Sequence, residues 1–283
     1  MAEANDNNEN NNGETTTLEE WLFALEMLAT VDRNNRDETI MWLRQCQRTF
    51  PYVSYGHRLR YWRPKAHVVV DILNEERDFR IHEACWDLLT LSIKLKDELD
   101  KDPSPEEKDT MAFGVQDLGI VELIRRELAR DILRMEVACA CIVPLTSIAL
   151  REEHAEHLIQ NGIVEVLIGL VRRRNEIARM AVPLLALISL TNLAIHPQSH
   201  RKLLDSGILP LAAQLIPFIS SEDVQLLDFG LTACFVVCRV AGRDESGPGY
   251  DLIHSNVALF QKLLWLYDQI LAAGPSGIFL GSQ

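Results

Sequence analysis

The sequence predicts an all-α protein in which short helical repeats stack into a superhelix. Two motifs recur at a fixed spacing along the second half of the chain. Between them, apolar residues return at steps of three and four, which is the periodicity of amphipathic helices. The chain also has only 14 glycines and 11 prolines among 283 residues, too few for a turn-rich all-β protein.

The first motif is a glycine followed by an apolar run. Its copies begin at Gly119, Gly162 and Gly207, which lie 43 and then 45 residues apart, and a weaker copy has Asn256 in the glycine place. Glycine and asparagine are the residues that most readily adopt a left-handed backbone at a helix end. We therefore predict a sharp bend at this point, between the first and second helices of each repeat.

The second motif marks the end of a longer apolar helix. The segment Thr146-Ser-Ile-Ala-Leu150 matches Thr191-Asn-Leu-Ala-Ile195, again at a distance of 45 residues. Each repeat therefore reads as a short first helix, the glycine, an apolar second helix, a polar loop and a longer apolar third helix. A period in the forties is typical of helical repeats that stack, since one unit alone cannot bury its apolar face.

The chain before the repeats is also predicted to be helical. Residues 1–17 are rich in Asn and acidic residues and lack apolar periodicity, so we expect a disordered tail that ends at a helix cap at Thr17. Pro51 and the proline-containing, charged segment 100–110 are expected to interrupt helices. Helices are predicted at residues 18–29, 37–49, 67–73 and 81–99.

The composition disfavours several classes of protein. The formal net charge of −13 argues against a general nucleic-acid-binding surface, which needs excess positive charge. The longest apolar stretches, 137–150 and 181–195, are shorter than the ~20 residues of a membrane-spanning helix. The six cysteines stand mostly in apolar runs, as buried reduced thiols do, which predicts a cytoplasmic location, a nuclear one, or both.

The sequence has no clear motif for catalysis, metal binding or a cofactor. It lacks a glycine-rich phosphate loop, and the neighbouring Ser199 and His200 lack the third, orienting group of a nucleophilic site. His154 and His157 are interpreted as part of the solvated face of a first helix. The cysteines do not have the spacing of a zinc site. We therefore predict no catalytic residue, no metal ligand and no cofactor, and expect that the protein is not an enzyme.

Arginines and aromatic residues alternate in the segment 39–70, which contains no Asp or Glu. This composition occurs in protein interfaces and in sites for single-stranded nucleic acid. The favoured interpretation is a capping region, in which the aromatic residues close the core and the arginines pair with the acidic loop at 97–109. A surface for a partner protein and a nucleic-acid site are the alternatives. The candidate residues of such a surface are Arg58, Arg60, Trp62 and Arg63.

A resemblance to a known family rests on residues 191–211, which read Thr-Asn-Leu-Ala-Ile-His-Pro-Gln-Ser-His-Arg-Lys-Leu-Leu-Asp-Ser-Gly-Ile-Leu-Pro-Leu. They resemble the armadillo family, whose pattern runs Asn-Leu-Ala, a loop, a first helix and Gly-Ile-x-Pro-Leu. The resemblance implies a right-handed superhelix with a groove lined by the third helices. Ile188 and Val143 stand where peptide-binding members of the family carry Trp. The partner-binding positions that the resemblance implies here are Asn192 and Ser147, with Thr191 and Thr146 beside them.

These observations divide the chain into four parts. They are a disordered tail at 1–17, an N-terminal helical region with capping units at 18–110, armadillo-like repeats at 111–271 and a flexible tail at 272–283. The expected function is that of a scaffold or adaptor that binds a peptide segment, a helix or a folded surface of other proteins. Binding of nucleic acid or of an acidic partner through 39–70 is the alternative, and an enzyme on a helical scaffold is the least expected.

Overall fold

The computed structural model describes residues 8–52, 57–75, 78–93, 112–130, 133–177, 179–221, 223–241, 261 and 264–265. Every regular element in this part of the chain is a helix or a helical turn. The chain forms two compact units, residues 1–148 and 149–283. This division does not fall at the predicted boundary near residue 110, which lies outside the described residues.

Six α-helices form the described part of the first unit. Of these, α2, α4 and α6 pack side by side, as the third helices of successive repeats do, and α6 therefore belongs with the first unit. Short helical turns precede α3 at 50–52 and 58–62, and another precedes α5 at 113–117. The helices are α1 (Asn8–Thr30), α2 (Arg36–Thr49), α3 (Ala66–Glu75), α4 (Phe79–Ile93), α5 (Ile120–Leu128) and α6 (Met135–Ile148).

Helix α1 begins earlier than the sequence predicts. It starts at Asn8, inside the segment 1–17 that was expected to be a disordered tail, so the predicted start at the Thr17 cap is wrong. The later turns of α1 are held by buried Trp21, Leu25 and Leu28. Once such a helix is nucleated and packed, extending it by further turns costs little free energy, even through residues of modest helix propensity.

Six further α-helices form two repeats in the described part of the second unit. Helix α10 packs on α7, α11 on α8, and α12 on α9, so equivalent helices of the two repeats lie against each other. This is the pairing that a stacked repeat requires, because each helix buries its apolar face on its counterpart. The helices are α7 (Glu152–Gln160), α8 (Ile163–Arg172), α9 (Ala181–Leu193), α10 (Pro197–Asp205), α11 (Ile208–Leu215) and α12 (Val224–Ala241).

The predicted bend at the repeated glycine is confirmed. Gly119, Gly162 and Gly207 have φ values of 63°, 71° and 87°, and each immediately precedes the second helix of its repeat. A side chain with a Cβ is strained in this left-handed region. The weaker copy at Asn256 lies outside the described residues.

Side chains of one repeat bind carbonyl groups at the end of the repeat before it. The His196 Nε2 atom lies 3.0 Å from the Ala149 carbonyl oxygen, and Arg239 Nη1 donates to the Thr191 carbonyl oxygen at 2.6 Å. The last carbonyl groups of a helix lack partners within the helix. Arg239 therefore satisfies one such group and links α12 to α9 within this unit.

None of the described helices is both long enough and apolar enough to cross a membrane.

The glycine bend leads to a direct test with a matched control. Gly162→Ala is expected to lower the free energy of unfolding by about 1 kcal/mol or more, because the alanine Cβ is strained in a left-handed backbone. The nearest atom to an added Cβ there is 3.9 Å away, so the cost comes from the backbone and not from a clash. Equilibrium unfolding in urea measures the difference.

Gly169→Ala is the control, because Gly169 lies within α8 and an added Cβ meets nothing within 4 Å. In a helix interior this change is expected to raise stability by roughly 0.5–1 kcal/mol. Equal effects of the two substitutions would contradict the assignment of the bend to Gly162.

Candidate functional site

The side-by-side packing of α2, α4 and α6 creates a cavity on their shared face. Its volume is about 400 Å³. We call it the third-helix cavity. Five of its seven lining residues are polar, and Leu91 and Val143 contribute apolar surface. The lining residues are Gln47 from α2, Asp87, Thr90 and Leu91 from α4, and Val143, Thr146 and Ser147 from α6.

Hydrogen bonds to the helix backbones hold several of these polar side chains. Gln47 Nε2 donates to the Ala84 carbonyl oxygen at 2.6 Å, which ties α2 to α4. The hydroxyl groups of Thr90 and Thr146 donate to carbonyl oxygens of their own helices, each at 2.7 Å. A hydroxyl group has one proton to donate and two lone pairs that accept. Both threonines therefore act as acceptors toward the cavity.

The cavity also contains a carboxyl group in an unusual environment. Asp87 keeps an exposed surface, but the protein around it removes part of its hydration, which raises the pKa of its carboxyl group. The neighbouring Glu83 raises this pKa further, whereas Arg44 opposes both effects. A carboxylate that has lost part of its hydration gains more from an approaching positive charge than one in open water. Asp87 is therefore suited to bind a cationic group.

The groove positions implied by the sequence have different environments. Thr146 and Ser147 do line the third-helix cavity. In the second unit, Asn192 is half-buried on α9, whereas Thr191 is buried and its hydroxyl donates to the Leu187 carbonyl oxygen at 2.8 Å. The prediction that Thr191 contacts a partner is therefore wrong, because its side chain is used within its own helix.

Three polar lining residues were missed by the sequence analysis: Gln47, Asp87 and Thr90. One signal was available for Asp87, which interrupts the apolar run Trp86 to Leu89 of a predicted helix. Its position relative to Thr146 depends on the packing of α4 against α6, which no local pattern reveals.

Two aromatic residues of the segment 39–70, Phe50 and Trp62, belong to the core. Trp62 is 1% exposed, and its ring packs edge-on against Phe50, with 5.7 Å between the ring centroids. Phe50 in turn packs edge-on against Trp21 at 5.6 Å. The prediction of Trp62 as a partner-binding residue is therefore wrong, since its side chain closes the core between α1 and the turn at 58–62.

The arginines of the same segment are bound to neighbouring groups. Arg60 lies over the ring of Tyr61, and Arg63 lies over the ring of Phe113 and pairs with Asp117 at 2.7 Å. Arg58 begins the turn at 58–62, and its side chain lies outside the described part. The acidic loop at 97–109, the predicted partner of these arginines, also lies outside it.

Buried histidine and cysteine side chains are poorly suited to chemistry. His154 is buried, which lowers its pKa and corrects the prediction that it lies on a solvated face. Burial raises the pKa of the Cys46 thiol to about 12 and that of Cys85 as well, so both thiols stay protonated at neutral pH. Within the described part of the chain, no three His, Cys, Asp or Glu residues converge on a possible metal site.

Comparison with solved structures identifies the fold. A designed armadillo repeat protein superimposes with a TM-score of 0.60 and 14% sequence identity, covering 86% of this chain and 100% of the design. The chain has an armadillo-like repeat fold. This confirms the all-α solenoid class that the sequence predicts.

Further designs share the armadillo-like fold. One was solved in complex with the peptide (KR)4 and is 15% identical, with a TM-score of 0.62, covering 86% of this chain and 91% of the design. Another, designed for modular peptide recognition, is 14% identical, with a TM-score of 0.58, covering 88% of this chain and 99% of the design. No protein-family model and no curated protein matches the sequence.

The assignment of Trp62 to the core predicts a large stability effect. Trp62→Ala is expected to lower the free energy of unfolding by about 3–5 kcal/mol, because it removes a buried aromatic side chain and leaves a cavity. Arg60→Ala, two residues away on the exposed side of the same turn, is expected to change it by less than about 0.5 kcal/mol. Urea unfolding checks both values, and similar small effects would place Trp62 at the surface.

Proposed function

We propose that this armadillo-like chain is a non-catalytic scaffold or adaptor that binds a segment of a partner protein across its third helices. The observation that carries the proposal is the acceptor-rich wall of the third-helix cavity. Thr90, Thr146 and Asp87 line this space, and their hydroxyl and carboxylate oxygens are groups that can accept hydrogen bonds. Such a wall would bind a ligand that carries several hydrogen-bond donors.

A lysine or arginine side chain of the partner meets this requirement. Its charged head would pair with Asp87 and donate to the threonine hydroxyls, as charge-assisted hydrogen bonds. Leu91 and Val143, the latter 41% exposed, would contact the aliphatic stem. The whole-chain charge of −13 would also draw a basic segment toward the protein.

The partner's main chain would be held by other polar groups. Ser147 lies in the same cavity wall, and its hydroxyl group can both donate and accept. Asn192, on α9 of the second unit, is proposed as a separate position for such a contact. Pairing with a peptide backbone gives affinity that does not depend on sequence. A structural neighbour solved with the peptide (KR)4 supports the binding of a basic peptide to an armadillo-like fold.

The alternative function, binding of nucleic acid through the segment 39–70, has less support. A platform for nucleic-acid bases needs accessible aromatic rings, whereas Phe50 and Trp62 are buried.

We propose residence in the cytoplasm or nucleus because all six cysteines are free thiols, as expected in a reducing compartment.

The proposal is tested by binding of a fluorescent peptide of alternating lysine and arginine. Asp87→Asn is expected to weaken binding about tenfold, because it removes a charge-assisted hydrogen bond. Asp71→Asn makes the same change of net charge at an exposed residue of α3 and is expected to alter affinity by less than about twofold. Fluorescence anisotropy measures both, and equal losses would indicate a long-range charge effect without a site.

The same site predicts a pH dependence. Binding a cation favours the ionised form of Asp87, so affinity should fall as pH falls through the raised pKa of this carboxyl group. The loss should begin at a higher pH than for an ordinary aspartate, and Asp87→Asn should lack this step. Anisotropy titrations between about pH 7 and pH 4 test this, and identical profiles for wild type and variant would contradict it.

A further inference from the structure

A second cavity, of about 480 Å³, lies in the first unit where four helices end. The C-terminal ends of α3 and α5 and the N-terminal ends of α4 and α6 converge there. We call it the arginine pocket. Its polar wall is formed by Asn74, His82, Arg126, Glu127, Arg130 and Arg134.

Two of the arginines are held in place by neighbouring side chains. Arg126 Nη2 donates to Asn74 Oδ1 at 2.8 Å, and Arg130 Nη2 donates to Glu127 Oε1 at 2.7 Å. The side chain of Glu127 is only 4% exposed, so it is a fixed anchor for Arg130. A guanidinium group has several N–H donors, and one that is oriented through a single donor presents others to a ligand.

The pocket is positively charged in a protein that is strongly negative overall. Arg126, Arg130 and Arg134 face it, against the carboxylates of Glu127, which Arg130 already neutralises, and Glu75. Helix α6 also begins here, and its first-turn residues Val137 and Ala138 line the pocket. The N-terminal ends of α4 and α6 favour an anion here, whereas the C-terminal ends of α3 and α5 oppose one, so the arginines supply the attraction.

We propose that the arginine pocket binds the phosphate group of a phosphate monoester. Guanidinium groups bind phosphate oxygens through paired hydrogen bonds, and two such groups suit a dianion. The cavity is larger than a phosphate group, and Leu73 and Val137 supply apolar wall for the organic part of the ester. This chemistry occurs both in small phosphate esters and in a phosphorylated side chain of a protein. The inference stands independently of the proposed peptide site.

The test measures binding of inorganic phosphate and O-phosphoserine to the full chain by isothermal titration calorimetry. The double substitution Arg126→Gln with Arg134→Gln is expected to weaken O-phosphoserine binding at least about tenfold. Arg130 is kept, so that the buried Glu127 retains its partner. The control is Arg125→Gln, on the same helix but outside the pocket, where Arg125 Nε pairs with Glu122 at 2.8 Å. It is expected to change affinity by less than about twofold.

A second variant keeps the test valid if the double variant does not fold. Arg126→Lys keeps the charge but loses the planar pair of donors, and we expect it to weaken binding severalfold with an unchanged thermal unfolding midpoint. Tighter binding of a phosphoserine peptide than of O-phosphoserine would identify a protein partner as the source, and comparable binding would identify a small ester. The absence of saturable binding, or equal losses in the double variant and Arg125→Gln, would overturn the proposal.

Discussion

The stacking of third helix on third helix depends on the left-handed backbone at Gly119, Gly162 and Gly207. At each of these positions the chain changes direction at a single residue, between a first and a second helix. Without this bend, the second helix could not return along the repeat, and the third helix would not meet its counterpart. The apolar faces of the helices would then stay exposed, because a single repeat is too small to bury them.

Hydrogen bonds to helix ends complete this arrangement in the second unit. Arg239, whose pKa is lowered by burial, donates to the Thr191 carbonyl oxygen and so keeps a hydrogen-bond partner inside the protein. The His196 ring also contacts the Ala149 carbonyl oxygen. These polar groups are thereby satisfied inside the protein, and Arg239 links α12 to α9.

In the first unit, helices α4 and α6 line two cavities, one with hydrogen-bond acceptors and one with arginine donors. The exposed faces of α4 and α6 present Asp87, Thr90 and Thr146, whose oxygen atoms accept hydrogen bonds. The N-terminal ends of the same helices lie beside arginines, whose guanidinium groups donate hydrogen bonds. The two proposed ligands, a basic segment and an anionic group, would therefore occupy separate places on this unit and would not compete for the same side chains.

The sequence by itself determined the class of the fold, the repeat period, the helical segments at 37–49 and 67–73, and the three bends, because these features arise from spacing and backbone preference within a few residues. Only the tertiary structure decided that Trp62, Thr191 and His154 are buried. It alone brought Gln47, Asp87 and Thr146 to one cavity, although about a hundred residues separate the first from the last. Burial and convergence depend on which helix faces meet, and that choice is made by contacts between distant segments that no local pattern encodes.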